Sequence, residues 1–125
     1  MKKLADDIDG RFVDYSTENT IITVPVDRNR TQSVTGYLID RNNLRVVEFM
    51  SKVCEVDSTQ VDARAMLELN QELFYGKVVI HEGFLKIAAT ALFDHSTEDQ
   101  IRDMILEVAR VADELEHKLV GSDVF

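Results

Sequence analysis

A stripe of apolar residues near the end of the chain constrains its fold most: Ile101, Ile105, Val108, Ala112, Leu115 and Leu119 recur at spacings of four, three, four, three and four. Only an α-helix brings residues so spaced onto one face. Ser96-Thr97-Glu98-Asp99 supplies an N-cap and puts acids in the first turn, where the helix dipole favours them, and Gly121 suits the end. The pattern predicts a helix over Thr97–Val120, broadened by Met104, Leu106 and Val111. A coiled coil has the same spacing, but about three heptads beside a sheet fit a helix packed on that sheet.

The sheet is predicted from what precedes the stripe. Thr20-Ile21-Ile22-Thr23-Val24-Pro25-Val26 is β-branched and alternating, and Pro25 pushes it toward an edge or a strand end. Ser33–Asp40 and Leu44–Val56 read as two further strands, joined by Arg41-Asn42-Asn43, where asparagine tolerates the positive φ of a tight hairpin. Gly36 marks a bulge or a close backbone approach. Asp57-Ser58-Thr59 offers N-caps for a helix from Ser58 to Tyr75 that ends at Gly76, with Val61, Ala65, Leu69 and Leu73 as its stripe and Met66 and Phe74 widening it. Lys77–Glu82 and Phe84–Phe93 then form a hairpin across Gly83, although Leu85–Ala89 would also suit a helix.

With a short helix over Lys2–Ile8, the expected fold is α+β, in the order α-β-β-β-α-β-β-α. It is an antiparallel five-stranded sheet with helices packed on one face. Its core is Val47, Phe49, Leu69, Leu73, Ile87, Ile105, Val108 and Leu115. At 125 residues with 45% apolar composition, residues 1–125 fit a single domain that needs no disulfide, and one cysteine, Cys54, provides none.

Charge narrows the possible partners. There are 14 basic against 23 acidic residues, a net charge of −9, so nucleic acid is not an expected partner. The distribution is uneven: Arg28–Lys52 holds five basic residues against two acids, whereas Glu98–Glu116 holds seven acids against two arginines. Two fates fit these runs, facing each other or solvent, or steering a partner. The N-terminal MKKLADDIDG lacks the apolar run of a signal peptide, and Phe84–Phe93 is too short to span a membrane. A cytoplasmic, membrane-independent protein is expected.

The chemistry-bearing residues form no familiar constellation. His81, His95 and His117 show no metal-ligand spacing, and Cys54 reads as a small buried hydrophobe rather than a nucleophile. The five glycines, at positions 10, 36, 76, 83 and 121, form no phosphate-binding loop. The carboxylates of the final helix, Asp113, Glu114 and Glu116 among them, read as a solvated face. No enzymatic activity, cofactor or metal is expected; the competing reading is a small enzyme whose site is assembled from distant residues.

The segment Met66-Leu67-Glu68-Leu69-Asn70, then Gly76-Lys77-Val78-Val79-Ile80, Leu85-Lys86-Ile87 and Ala112-Asp113-Glu114-Leu115 resembles the type III secretion chaperone-like fold, in particular the YbjN-type bacterial proteins. The resemblance extends over Thr20–Leu119 as a pattern and over Leu67–Leu119 in residue detail. It implies a non-enzymatic, homodimeric protein-binding module.

Two surfaces are candidates for that role. The strand Leu44–Val56 is apolar on both faces, because Val47, Phe49 and Val53 alternate with Val46, Met50, Cys54 and Val56. Either a terminus partly covers the second face or it is an interface. As an interface it would bind a protein or peptide through Ile22, Val24, Val46, Met50 and Cys54, with backbone pairing at an edge strand Ile21–Val26. The stripe Val61, Ala65, Met66, Leu69 and Leu73 is the candidate dimer interface. A regulatory or structural domain that binds only itself is the alternative.

Overall fold

The computed structural model describes residues 11–14, 19–27, 29–57 and 61–120. The strands are β1 (Arg11–Asp14), β2 (Asn19–Asp27), β3 (Arg30–Arg41), β4 (Leu44–Glu55), β5 (Lys77–His81) and β6 (Phe84–Leu92). The helices are α1 (Ala63–Leu69), between β4 and β5, and α2 (Glu98–Val120), which follows β6 and a single 3-10 turn at Phe93–His95. All six strands join one antiparallel sheet in the order β1-β2-β3-β4-β6-β5.

The class is α+β with an antiparallel sheet, and the five predicted strands are present with ends within three residues of those expected. A sixth strand, β1, extends the sheet beyond them. Its presence corrects the reading of Ile21–Val26 as an edge: β1 pairs with Thr20–Thr23, so only the stretch around Pro25 lacks a described neighbour on that side. Proline, which has no N–H to donate, sits where none is needed. The expected helix over Lys2–Ile8 lies outside the described residues.

Two tight turns set the hairpin registers. Asn42 and Asn43 have φ of 52° and 64°, the left-handed pair that matches strand twist. Glu82 and Gly83, at 53° and 81°, make the same turn between β5 and β6, which confirms Leu85–Ala89 as strand. Gly36 sits in unbroken register opposite Phe49, so no bulge forms there. Irregularities lie instead between Pro25 and Asp27 and between Lys52 and Cys54.

Helix α2 lies across β2, β3, β4 and β6. Its Ile101, Ile105, Val108, Ala112 and Leu115 are buried as the stripe predicts, against Ile22, Val24, Val34, Val47, Phe49, Leu85, Ile87 and Ala89. Leu69 and Leu73 are only partly buried at the margin of this core, because α1 is far shorter than Ser58–Tyr75. Asp62 caps α1, its Oδ1 accepting from the N–H groups of Arg64 and Ala65. Gln71 and Glu72 close the helix on the Glu68 and Leu69 carbonyls, and tertiary acceptors then take over: a carboxylate of α2 takes the N–H groups of Phe74, Tyr75 and Gly76, and Asn70 Oδ1 takes that of Val78 at 2.5 Å. Gly76 therefore ends no helix in a left-handed conformation; it lies in a close approach, where a Cβ would stand 3.3 Å from Ile87.

The polar groups under α2 are paired. Asp113 is buried and accepts from Arg30, Nε to Oδ1 at 3.2 Å and Nη2 to Oδ2 at 3.0 Å, which corrects its reading as a solvated residue. This pair ties β3 to α2 and joins one member of the basic middle to one of the acidic tail. Gln32 Nε2 donates to Ser51 Oγ at 2.9 Å and to the Lys52 carbonyl at 3.0 Å, and Ser51 Oγ donates to the Ser33 carbonyl. A buried network satisfied in this way does not penalise folding.

Candidate functional site

The first candidate surface does not exist as one face. Ile22 and Val24 are fully buried beneath α2, whereas Val46 and Met50 are buried on the opposite side of the sheet. Cys54 returns to the helix side, because the irregularity between Lys52 and Cys54 inserts Val53 and shifts the two-residue alternation by one. Its thiol is pushed up by burial and then by the charge of Glu116, which keeps it protonated. The Glu116 carboxyl is itself held above the usual carboxylate range, by desolvation first and Asp113 second.

The side of the sheet away from α2 is nonetheless closed at its centre. Val46, Met50, Ala88 and Lys86 are buried there. Lys86 Nζ lies 2.8 Å from His81 Nδ1 and 3.8 Å from Glu82, and Lys52 stands over the Phe84 ring. His95 lies in the 3-10 turn and His117 on α2, so the three histidines occupy different elements. Among the described residues, no group of three His, Cys, Asp or Glu side chains is placed to hold a metal ion. No helix among them is long and apolar enough to cross a membrane.

The second candidate set does come together. Ala65, Met66 and Leu69 of α1 face Leu115 and Leu119 of α2 across a groove of about 320 Å³. Asp62, Glu68, Glu72 and Lys118 rim it. The stripe is partly spent inside the molecule, since Val61, Met66, Leu69 and Leu73 also pack against the core, while Ala65 is exposed. The groove therefore has a fixed apolar floor rather than a free helical face.

Next to it is a feature that sequence reasoning missed. Glu107, on the third turn of α2, accepts three successive backbone N–H groups: Phe74 at 2.8 Å, Tyr75 at 2.7 Å and Gly76 at 2.7 Å. Charge-assisted bonds of this length are about twice as strong as neutral ones. They pin the loop between α1 and β5 against α2, and the loop holds Phe74 out with 87% of its surface exposed. The Tyr75 ring lies 5.4 Å away, a distance at which aromatic rings attract. Phe74, Tyr75 and Glu107 line a shallow depression of about 410 Å³ with Asp103 and Arg110. One of seven acids in a helical run carries no mark that it will clamp a loop; only the aromatic pair before a glycine hinted at a special site.

Along α2, from Asp103 beside Phe74 to Lys118 beside α1, this surface spans about 22 Å at 1.5 Å per residue. It combines an aromatic pair on a loop whose backbone is clamped to α2, an apolar groove and an acidic rim. Comparison of the chain with protein-family models gives no match, and comparison with curated proteins gives none either.

Proposed function

We propose that this domain is a non-enzymatic, cytoplasmic protein-binding module of the chaperone or adaptor kind. In this reading, its partner docks along α2 at Phe74 and the α1 groove. The observation that carries the reading is the Glu107 clamp, which spends three charge-assisted hydrogen bonds on a loop whose largest side chain points into water. An exposed aromatic held in place loses little entropy on binding, the property that makes such residues anchors at interfaces. The resemblance to secretion chaperones supports the same class, and the strand and helix order from β2 to α2 accords with it.

Selection of peptides from a random display library on the immobilised full chain tests the proposal, with Phe74→Asp as the comparison. Because Phe74 is so exposed, that change alters stability by no more than about 0.5 kcal/mol. The unaltered chain is expected to enrich a recurrent sequence class, and Phe74→Asp to reduce its capture about tenfold. Failure of the unaltered chain to enrich anything over the bare support, or equal capture by both, refutes the proposal.

A second reading, self-association through α1, is favoured by Leu67, which is 71% exposed and does not line the groove. Light scattering across micromolar concentrations decides it: a monomer throughout rejects the homodimer.

A further inference from the structure

We infer that the groove between α1 and the end of α2 takes a short basic, amphipathic segment of a partner protein. The inference rests on the reading of the domain as a protein-binding module and adds the chemistry of the partner. The floor, Ala65, Met66, Leu69, Leu115 and Leu119, is wholly apolar and calls for apolar side chains. At seven residues α1 is about 10 Å long, the reach of roughly three extended residues, so about two apolar anchors fit.

Charge decides what flanks those anchors. The rim carries three carboxylates, Asp62, Glu68 and Glu72, against one ammonium, Lys118. Asp62 is engaged in capping, which leaves its charge in place. Glu68 meets Arg64 only at 4.0 Å between two well-exposed side chains, where an ion pair contributes little. Glu72 is exposed and has no ion-pair partner among the described residues. The acid excess continues along α2 through Asp99, Asp103, Glu107, Glu114 and Glu116, with only Arg102 and Arg110 opposing it.

This end of the molecule is short of cations. Burial is the main cause that raises the Cys54 thiol and the Glu116 carboxyl, and the smaller contributions, from Glu116 and from Asp113 respectively, have the sign of negative surroundings. A partner that brings Lys or Arg beside its anchors relieves this imbalance, whereas an acidic segment or a phosphate backbone meets repulsion.

Two synthetic peptides of about ten residues test the inference, with the same two leucine anchors flanked in one by Lys and Arg and in the other by Asp and Glu. Fluorescence anisotropy with the full chain is expected to show the basic peptide binding at least about tenfold tighter, with an affinity that falls as salt rises. The double variant Glu68→Lys/Glu72→Lys, both positions exposed, is expected to lose about tenfold in affinity with an unchanged circular dichroism spectrum. Equal binding of the two peptides, or indifference to that charge reversal, overturns the inference while leaving the binding module standing. Failure of both peptides to bind also overturns it, and the Phe74→Asp display comparison then judges the module separately. If light scattering shows a dimer that Ala65→Glu dissociates and that excludes the basic peptide, the occupant is a second copy and the inference is wrong.

Discussion

Replacing Glu107 by Ala removes the acceptor for three backbone N–H groups at once. The Phe74 and Tyr75 groups are exposed, so water takes over and each lost bond costs roughly 0.5–1 kcal/mol. The Gly76 N–H is partly buried between Ile87 and α2, and leaving it without a partner costs about 1–2 kcal/mol. The expected destabilisation is therefore about 2–4 kcal/mol, or roughly 6–15 °C in Tm for a domain of this size. Thermal and urea unfolding measure the total, and hydrogen exchange at Phe74, Tyr75 and Gly76 localises it. The same variant should lose peptide capture even under conditions where it is fully folded, because Phe74 is no longer held. A Tm change under about 2 °C, with unaltered exchange at the three amides, would refute the clamp and with it the claim that Phe74 is held in place.

Leu115→Ala, at a site buried among core residues, should cost about 2–5 kcal/mol in urea unfolding. Asn43→Ala should destabilise by about 0.5–1 kcal/mol, since Asn43 occupies a left-handed position at φ 64° that asparagine tolerates better than alanine; an unchanged urea midpoint would count against the conformational demand of this turn. The Glu116 carboxyl is raised in the folded state, so the unfolded chain gives up this proton first as pH rises past about 4.5. This group's contribution to stability is therefore present at lower pH and lost as pH climbs through its folded value. Glu116→Gln should make the protein more stable at pH 7 relative to pH 4 than the unaltered chain is, and urea midpoints at the two pH values check the sign.

The sequence by itself determined the elements whose signals are local and periodic. The α2 stripe at three-and-four spacing, the alternation of the central strands and the Asn42-Asn43 turn each depend on neighbours within a few residues, so helix, strands and hairpin were legible. Of the five residues assigned to a binding face, Cys54 lies on the opposite side because alternation carries strand parity only as far as the next irregularity, whereas Ile22 and Val24 lie there because alternation within β2 does not say which of its two faces meets α2. One inserted residue, Val53, moved Cys54 to the other side, and Ile22 and Val24 proved to lie under α2. The length of α1 was equally out of local reach: its cap is Asp62 rather than the expected Asp57-Ser58-Thr59, and the chain leaves the helix after Leu69, with Asn70 Oδ1 accepting from Val78 and Glu107 from Phe74, Tyr75 and Gly76. Glu107 is 31 residues from Gly76, and no periodicity records a contact of that separation. The apolar residues of the groove could be named from α1 alone, but only the tertiary structure set Leu115 and Leu119 across from them and Phe74 beside them. A site made by two elements meeting exists only once the core has fixed where they meet.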